Sequence, residues 1–179
     1  RGTPGLDGFP TEYFRSFGDL LSPHLLSFFS EAVETVRFPP MVNLATIVVL
    51  LKQGHPTEQC ASYRPISLIN VKLKIYSKLL ATRLLTVLPS LIHAYQCGFM
   101  PARRSRHCIC RLHSALTHIE TLPGSRSLVL LDFEKAFNTV DWSYLDLLLD
   151  RLGFGPFFRR SIRALYCGSL AQVRVNEYL

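Results

Sequence analysis

The chain has 179 residues, of which 48% are hydrophobic, with a net charge of +7 and a pI of about 9.4. That length suits one domain with a real core, and a mean hydropathy of +0.19 excludes a disordered composition. No apolar run approaches the roughly 18 residues that span a bilayer, and no basic-then-apolar signal segment opens the chain, which starts at Arg1. Residues 1–10, RGTPGLDGFP, are rich in Gly and Pro and predict a loop. Apolar residues at helical spacing over 11–36 predict two short helices, with Ser22-Pro23 as the start of the second. The β-branched run LATIVVLL, residues 44–51, predicts a buried strand, and 52–62 a polar turn. Residues 63–70, YRPISLIN, predict a short extended piece, because Pro65 biases Arg64 away from helix. An amphipathic helix is expected over 71–88, with Lys74 and Lys78 on one face, Ile75, Leu79 and Leu80 on another, and Pro89 as a break. A loop at 95–105, a helix at 106–120 and a buried strand at 126–131 follow. Asp141 is placed to cap a helix over 142–152 that Gly153 and Gly155 close, before a helix over 157–167 and a half-exposed strand over 171–176. The irregular alternation predicts an α+β fold.

The sign of the charge is unevenly distributed. Residues 59–119 contain no Asp or Glu and carry nine basic residues: Arg64, Lys72, Lys74, Lys78, Arg83, Arg103, Arg104, Arg106 and Arg111. The rest of the chain holds 11 basic and 13 acidic residues. A basic block interleaved with Tyr63, Tyr76, Tyr95 and Phe99 suits a polyanion such as nucleic acid, against the plainer alternative of a solvated basic face. The five cysteines are odd in number and irregularly spaced, so no disulfide framework is expected. The group His107, Cys108, Cys110, His113 and His118 lacks the paired spacing of a zinc knuckle and predicts buried thiols and surface imidazoles in a reducing compartment.

The segment LVLLDFEKAFNTVDW, residues 128–142, runs four apolar residues into Asp132. A carboxylate leaving a buried strand needs a partner. From the pattern, it caps the following turn, pairs with Lys135 or an arginine, or holds a divalent cation.

The string DFEKAFNTVDW resembles motif A of reverse transcriptases of the non-LTR, LINE-type class. PGLDGFPTEYF (4–14) is similar to that family's N-terminal motif, and TIVVLLKQGHP (46–56) to its strand-then-lysine segment. YRPISLINVKLKIYSKLLATRL (63–84) resembles its fingers motif and following helix, and QCGFMPARRS (96–105) its GFxxGR segment. The five occur in the family's order over nearly the whole chain.

The resemblance implies a truncated right-hand polymerase fold, with the fingers over 1–125 and the incomplete start of the palm over 126–179. It implies that Asp132 holds two Mg2+ ions, with the backbone carbonyl of Phe133 as companion ligand. Phe137 then matches the aromatic gate beneath the incoming sugar, for which the plainer alternative is a core aromatic. Arg64 matches the fingers arginine, and with Lys52 it would meet triphosphate or template phosphate. Lys72, Lys74 and Arg103 would lie near the template backbone. The implied partners are an RNA template, a DNA primer and dNTP, with no membrane. An intracellular location, nuclear or cytoplasmic and not secreted, is expected.

The family's pattern also breaks. No Asp-Asp pair occurs, and the Gln-Gly motif expected after the palm strand is missing, as are thumb and endonuclease regions. Asn138 stands where the family has Asp, and Ala102 stands for the glycine of GFxxGR. The expectation is therefore a fragment of an RNA-directed DNA polymerase of a LINE-like retroelement, using two-magnesium nucleotidyl transfer in a full-length parent and inactive alone. The alternatives are a non-catalytic nucleic-acid-binding remnant and a functionless piece of a degenerate element.

Overall fold

A computed structural model describes residues 3–174 of the chain. The apolar periodicity of 11–36 forms α1 (Thr11–Ser16) and α2 (Gly18–Glu34). The break falls at Phe17, not at Ser22-Pro23: Phe17 leaves helical geometry at φ −113° and ψ 22°, while Pro23 lies inside α2. Pro23 is the sixth residue of α2, past the first turn of unbonded amides, so it forfeits the amide bond to the Asp19 carbonyl without ending the helix; beside it the Ser22 hydroxyl donates to the Gly18 carbonyl at 2.7 Å. At the other end, the Arg37 amide donates back to the Ala32 carbonyl at 3.0 Å around Val36, whose φ is +55°. A β-branched residue thus occupies the left-handed position that usually takes glycine.

β1 (Leu44–Leu51) is the central strand of a three-stranded sheet, between β2 (Tyr63–Leu68) and β3 (Leu170–Arg174). It pairs antiparallel with β2, from Thr46 opposite Leu68 to Leu51 opposite Tyr63. It pairs parallel with β3, from Leu44 opposite Leu170 to Val48 opposite Arg174. Pro65 is accommodated because β2 is an edge strand, where a missing N–H costs no ladder bond. The expectation of a fully buried β1 fails: only Thr46 is buried, and Val49, Leu50 and Leu51 are exposed. Among the described residues those three have a strand neighbour on the β2 side only. The last two residues of the strand expected over 171–176 lie outside the described residues.

α3 (Val71–Leu91) continues through Pro89, which was expected to break it. Proline there falls in the last turn and removes a single amide bond. Leu80 is buried as expected, but Leu79 is 43% exposed, and the inward face adds Val71, Leu73 and Tyr76. α4 (Ser105–Glu120), α5 (Trp142–Arg151) and α6 (Pro156–Tyr166) follow as expected within a residue or two. The Asp141 carboxylate accepts from the Tyr144 amide at 2.8 Å and caps α5, while Gly153 at φ +81° ends it. Pro156 opens α6, where its fixed φ is already helical.

The chain forms two compact units. One holds residues up to Leu80 and from Gly153 onward; the other holds Ala81–Leu152. The first unit contains the sheet and a core of Ala32, Val33, Phe38, Leu73, Tyr76, Leu80 and Ala164, where α2, α3 and α6 bury their apolar faces. Aromatic rings fill its centre: Tyr76 lies 4.8 Å from Phe29 and 5.3 Å, edge-on, from Phe38. Helices with a small three-stranded sheet give the mixed α and β content expected.

The second unit corrects a central expectation. Residues 126–131 form no strand; Val129, Leu130 and Leu131 are 70%, 79% and 81% exposed. A short apolar run becomes a strand only when another backbone edge accepts it. Among the described residues of this unit no strand is present to do so. No helix of the described residues is long and apolar enough to cross a membrane.

One polar side chain ties the first unit together. Asn70 is fully buried, at the junction between β2 and α3. Its amide nitrogen donates to the carbonyls of Met41 and Val42, each at 3.0 Å. Its side-chain oxygen accepts from the Asp7 amide at 3.1 Å, and its backbone carbonyl accepts from Leu73 and Lys74 at the start of α3. Gly5 lies so close that a Cβ there would meet the Asn70 backbone at 2.6 Å. Three separate segments are therefore registered by one amide.

Asn70→Ala should lower unfolding free energy by about 2–4 kcal/mol, because it leaves two carbonyls and an amide without partners. The check is the shift of the urea midpoint at unchanged slope; a loss within the ordinary range of a surface substitution would show that water replaces the side chain at no cost.

Candidate functional site

The sequence-predicted residues fall into the two units as follows: Lys52, Arg64, Lys72 and Lys74 in the first, and Arg103, Asp132, Phe133 and Phe137 in the second. Within the first unit they divide by what their side chains do. The Lys52 ammonium donates to the Ala61 carbonyl at 2.6 Å, and its amide donates to the Ser62 carbonyl at 2.8 Å, so Lys52 closes the β1–β2 hairpin. Lys72 lies 3.6 Å from the Asp7 carboxylate and over the Phe9 ring at 5.6 Å. Arg64, on edge strand β2, and Lys74, on the outer face of α3, are exposed. Long cationic side chains in that state are available to an external polyanion.

The second unit presents a loop between α3 and α4 that arginines brace from both ends. Arg103 donates to the carbonyls of His93 and Gln96, each at 2.8 Å, and to Ile92 at 3.4 Å. Arg111, from α4, donates to the Ala94 carbonyl at 2.6 Å and lies 5.0 Å from the centre of the Tyr95 ring. Arg103 is thus half-buried and committed to backbone, whereas Arg104 and Arg106 are exposed. Ala102 adopts φ +59°. The glycine-like demand at this position comes from the backbone angle, since an L side chain is strained there.

Asp132 is exposed, on the irregular segment that precedes a turn. In that turn Lys135 has φ +51°, and the Asn138 amide donates to the Lys135 carbonyl at 2.8 Å. Asn138 therefore serves the turn through its backbone, which any residue could supply. Phe137 projects from the turn, 79% exposed, with its ring edge-on to Phe99 at 5.9 Å. It is not a core aromatic. The neighbouring carboxylates are occupied: Glu134 pairs with Lys135 at 3.4 Å, and Asp141 caps α5.

Among the described residues no three His, Cys, Asp or Glu side chains gather to hold a metal ion. Asp132 with the Phe133 carbonyl supplies at most part of the oxygen shell of a hard divalent cation, so these residues do not by themselves fit a magnesium site. In the His/Cys group, His107 is used locally: its Nδ1 accepts from the Arg104 amide at 3.2 Å at the start of α4. Only Cys97 of the five thiols is buried, against the expectation of buried cysteines, because Cys108 and Cys110 lie on a helix whose residues are mostly exposed.

Sequence reasoning passed over Asn70, Gly5 and Arg111. The signal for Asn70 was a polar residue ending the apolar run PISLI directly before a helix. The bracing role of Arg111 had no local signature, since its partners lie 17 residues away.

Residues 50–178 match the family described as reverse transcriptase (RNA-dependent DNA polymerase). The chain is 31% identical over 174 residues, 97% of its length, to a Xenopus laevis protein named transposon TX1 uncharacterized 149 kDa protein. It is 30% identical over 136 residues, 73% of its length, to a Drosophila melanogaster probable RNA-directed DNA polymerase from transposon X-element. It is 25% identical over 161 residues, 87% of its length, to the probable RNA-directed DNA polymerase from transposon BS of the same organism. The chain spans 13%, 14% and 17% of these relatives respectively.

Ala102→Gly should stabilise the chain by about 0.5–1 kcal/mol, because glycine takes the positive φ without strain and that gain exceeds its added unfolded-state entropy. A rise of the thermal midpoint by a few degrees checks it; an unchanged or lower midpoint would show that the loop relaxes around alanine.

Proposed function

The chain belongs to the reverse transcriptase (RNA-dependent DNA polymerase) family, and on that premise we propose that it is the template-gripping part of an RNA-directed DNA polymerase of a LINE-like retroelement. The observation that carries this reading is the acid-free stretch 59–119, whose exposed Arg64, Lys74, Arg83, Arg104 and Arg106 face solvent. Cations held this way release counterions when they meet phosphates, which gives affinity without sequence preference. The partners are an RNA template paired with a DNA primer, and dNTP.

Two residues in this reading serve chemistry. Phe137 is an exposed flat ring, propped by Phe99, of the kind that excludes a ribose 2′-hydroxyl by bulk. Asp132 contributes one carboxylate, beside the Phe133 carbonyl, to a magnesium site that the longer protein completes. Magnesium there would neutralise the phosphates of the incoming nucleotide. Because the ligand set is partial, the 179-residue chain grips nucleic acid without extending a primer. The same observation favours the runner-up, a binding remnant without chemistry. A protein carrying the missing carboxylates separates the two, since Asp132→Asn would abolish synthesis only in the first case.

Lys52, Lys72 and Arg103 enter the reading differently from Arg64 and Lys74. The first three are held by protein groups, so they shape the hairpin, the α3 entrance and the 92–104 loop that present the exposed cations.

The double variant Arg64→Glu, Lys74→Glu should bind an RNA–DNA duplex at least tenfold more weakly at 0.1 M salt, with the slope of log K against log[salt] reduced by about 2. The exposed pair Arg151→Glu, Arg160→Glu, outside the basic stretch, should weaken binding less than about threefold, since charges that contact no phosphate act only through screened long-range attraction. Equal losses from both pairs would overturn the assignment of the grip to the basic stretch.

A further inference from the structure

The loop between α3 and α4 displays an aromatic ring that phosphate contacts do not use. Tyr95 is 72% exposed, yet its backbone is held on every side. The Tyr95 amide donates to His93 Nδ1 at 3.3 Å, Arg111 binds the Ala94 carbonyl, and Arg103 binds the carbonyls of His93 and Gln96. The ring is placed as firmly. The Arg111 guanidinium lies 5.0 Å from its centre, and the His93 ring meets it nearly perpendicular at 4.7 Å. An aromatic set in place in this way loses little freedom when a ligand arrives. Tyr95 borders an open cleft of about 600 Å³, a volume in the range of small-ligand clefts. Cys108, Leu112 and Ala115 of α4 also line it, at the spacing that puts them on one helix face, so this wall is largely apolar.

We propose that this cleft takes an unpaired nucleobase of the single-stranded RNA template, stacked on the Tyr95 ring; the inference rests on the template-gripping reading above. Charge selects the class of ligand. The cleft lies within the acid-free stretch 59–119, with Arg104 and Arg106 exposed at the start of α4, so it suits a ligand that joins a flat apolar ring to an anionic backbone. Pairing selects the strand. Bases inside a duplex are stacked on one another and show only their edges, whereas an unpaired base offers its face. In a template–primer the primer is paired, so the unpaired base is the template's. Every base has such a face, so the site adds affinity without sequence preference. Because the Tyr95 side chain meets no phosphate, that affinity comes without further counterion release.

Phe99 and Phe137, also exposed, are turned on each other edge-on at 5.9 Å and do not line the cleft. They serve as internal controls for where a base is held.

The test uses the 179-residue chain with two probes, a short oligouridylate carrying one 5-iodouridine and a blunt RNA–DNA duplex. Tyr95→Leu should weaken binding of the oligouridylate by about fivefold or more, while binding of the duplex stays within about twofold and the slope of log K against log[salt] is unchanged. Tyr95→Phe keeps the ring and should bind the oligouridylate within about twofold of the parent chain. Irradiation of the parent chain with the iodinated probe should crosslink it to the tryptic peptide 84–103, with fragmentation placing the bond on Tyr95. Crosslinks confined to Phe99, Phe137 or Trp142 would overturn the site, as would unchanged oligouridylate binding by Tyr95→Leu or a fivefold loss in Tyr95→Phe. If Tyr95→Leu alters the far-ultraviolet circular dichroism, the crosslink in the parent chain decides: on Tyr95 it sustains the site, and its absence there overturns it. A parent chain that binds the duplex but gives no Tyr95 crosslink overturns this site alone, whereas one that binds neither probe overturns the grip and the site together.

Discussion

The Asn70 amide is the constraint on which the first unit depends. A buried primary amide left without partners would cost several kcal/mol, yet here both ends are used, on two segments distant in sequence, at Asp7 and at Met41–Val42. The Gly5–Asp7 loop approaches only because Gly5 has no Cβ, and the strand that follows 39–43 begins where the Met41 and Val42 carbonyls are pinned. The same residue's carbonyl starts α3, so the direction of that helix and the entry of β1 are set together. Asp7 then meets Lys72 in the first turn of α3, which takes that lysine out of the set of free cations. Packing completes the arrangement: Phe38 and Tyr76 meet edge-on in the core just beyond the pinned segment.

This constraint separates the cations that build the fold from those that the fold presents. Lys52, Lys72 and Arg103 were grouped by sequence with Arg64 and Lys74 as phosphate ligands. In the structure their charges are spent on carbonyls or a carboxylate, where they satisfy backbone groups at the ends of a hairpin, a helix and a loop. The distinction matters for any charge-removal experiment. Changing Arg103 would loosen the 92–104 loop as well as remove a charge, so lost binding would carry no information about phosphate contact.

Much of the fold was legible because its signals are local. β1 and α4 to α6 lie where alternation, helical spacing, Asp141 as a cap and Gly153 as a stop place them. Proline misled twice, at Pro23 and Pro89, because each removes one amide bond from its helix without ending it. The strand expected at 126–131 illustrates the opposite limit. Its apolar run makes a strand only against a partner edge, and among the described residues no strand of its own unit supplies one. Of the site, the type of each residue and the turn that displays Phe137 were readable; which lysines are free was not, because Ala61, Asp7 and His93 are not visible as partners from the sequence.

Gripping a template–primer and extending it are separable if, as proposed, the chain binds nucleic acid without a complete metal site. The most direct measurement incubates it with an RNA template, a labelled DNA primer, dNTPs and Mg2+, irradiates the mixture, and resolves the label on one denaturing gel. The expected result is primer crosslinked to the chain, with every free primer at its original length. Extended primer would contradict the incomplete metal site, and the absence of any crosslinked band would contradict the grip.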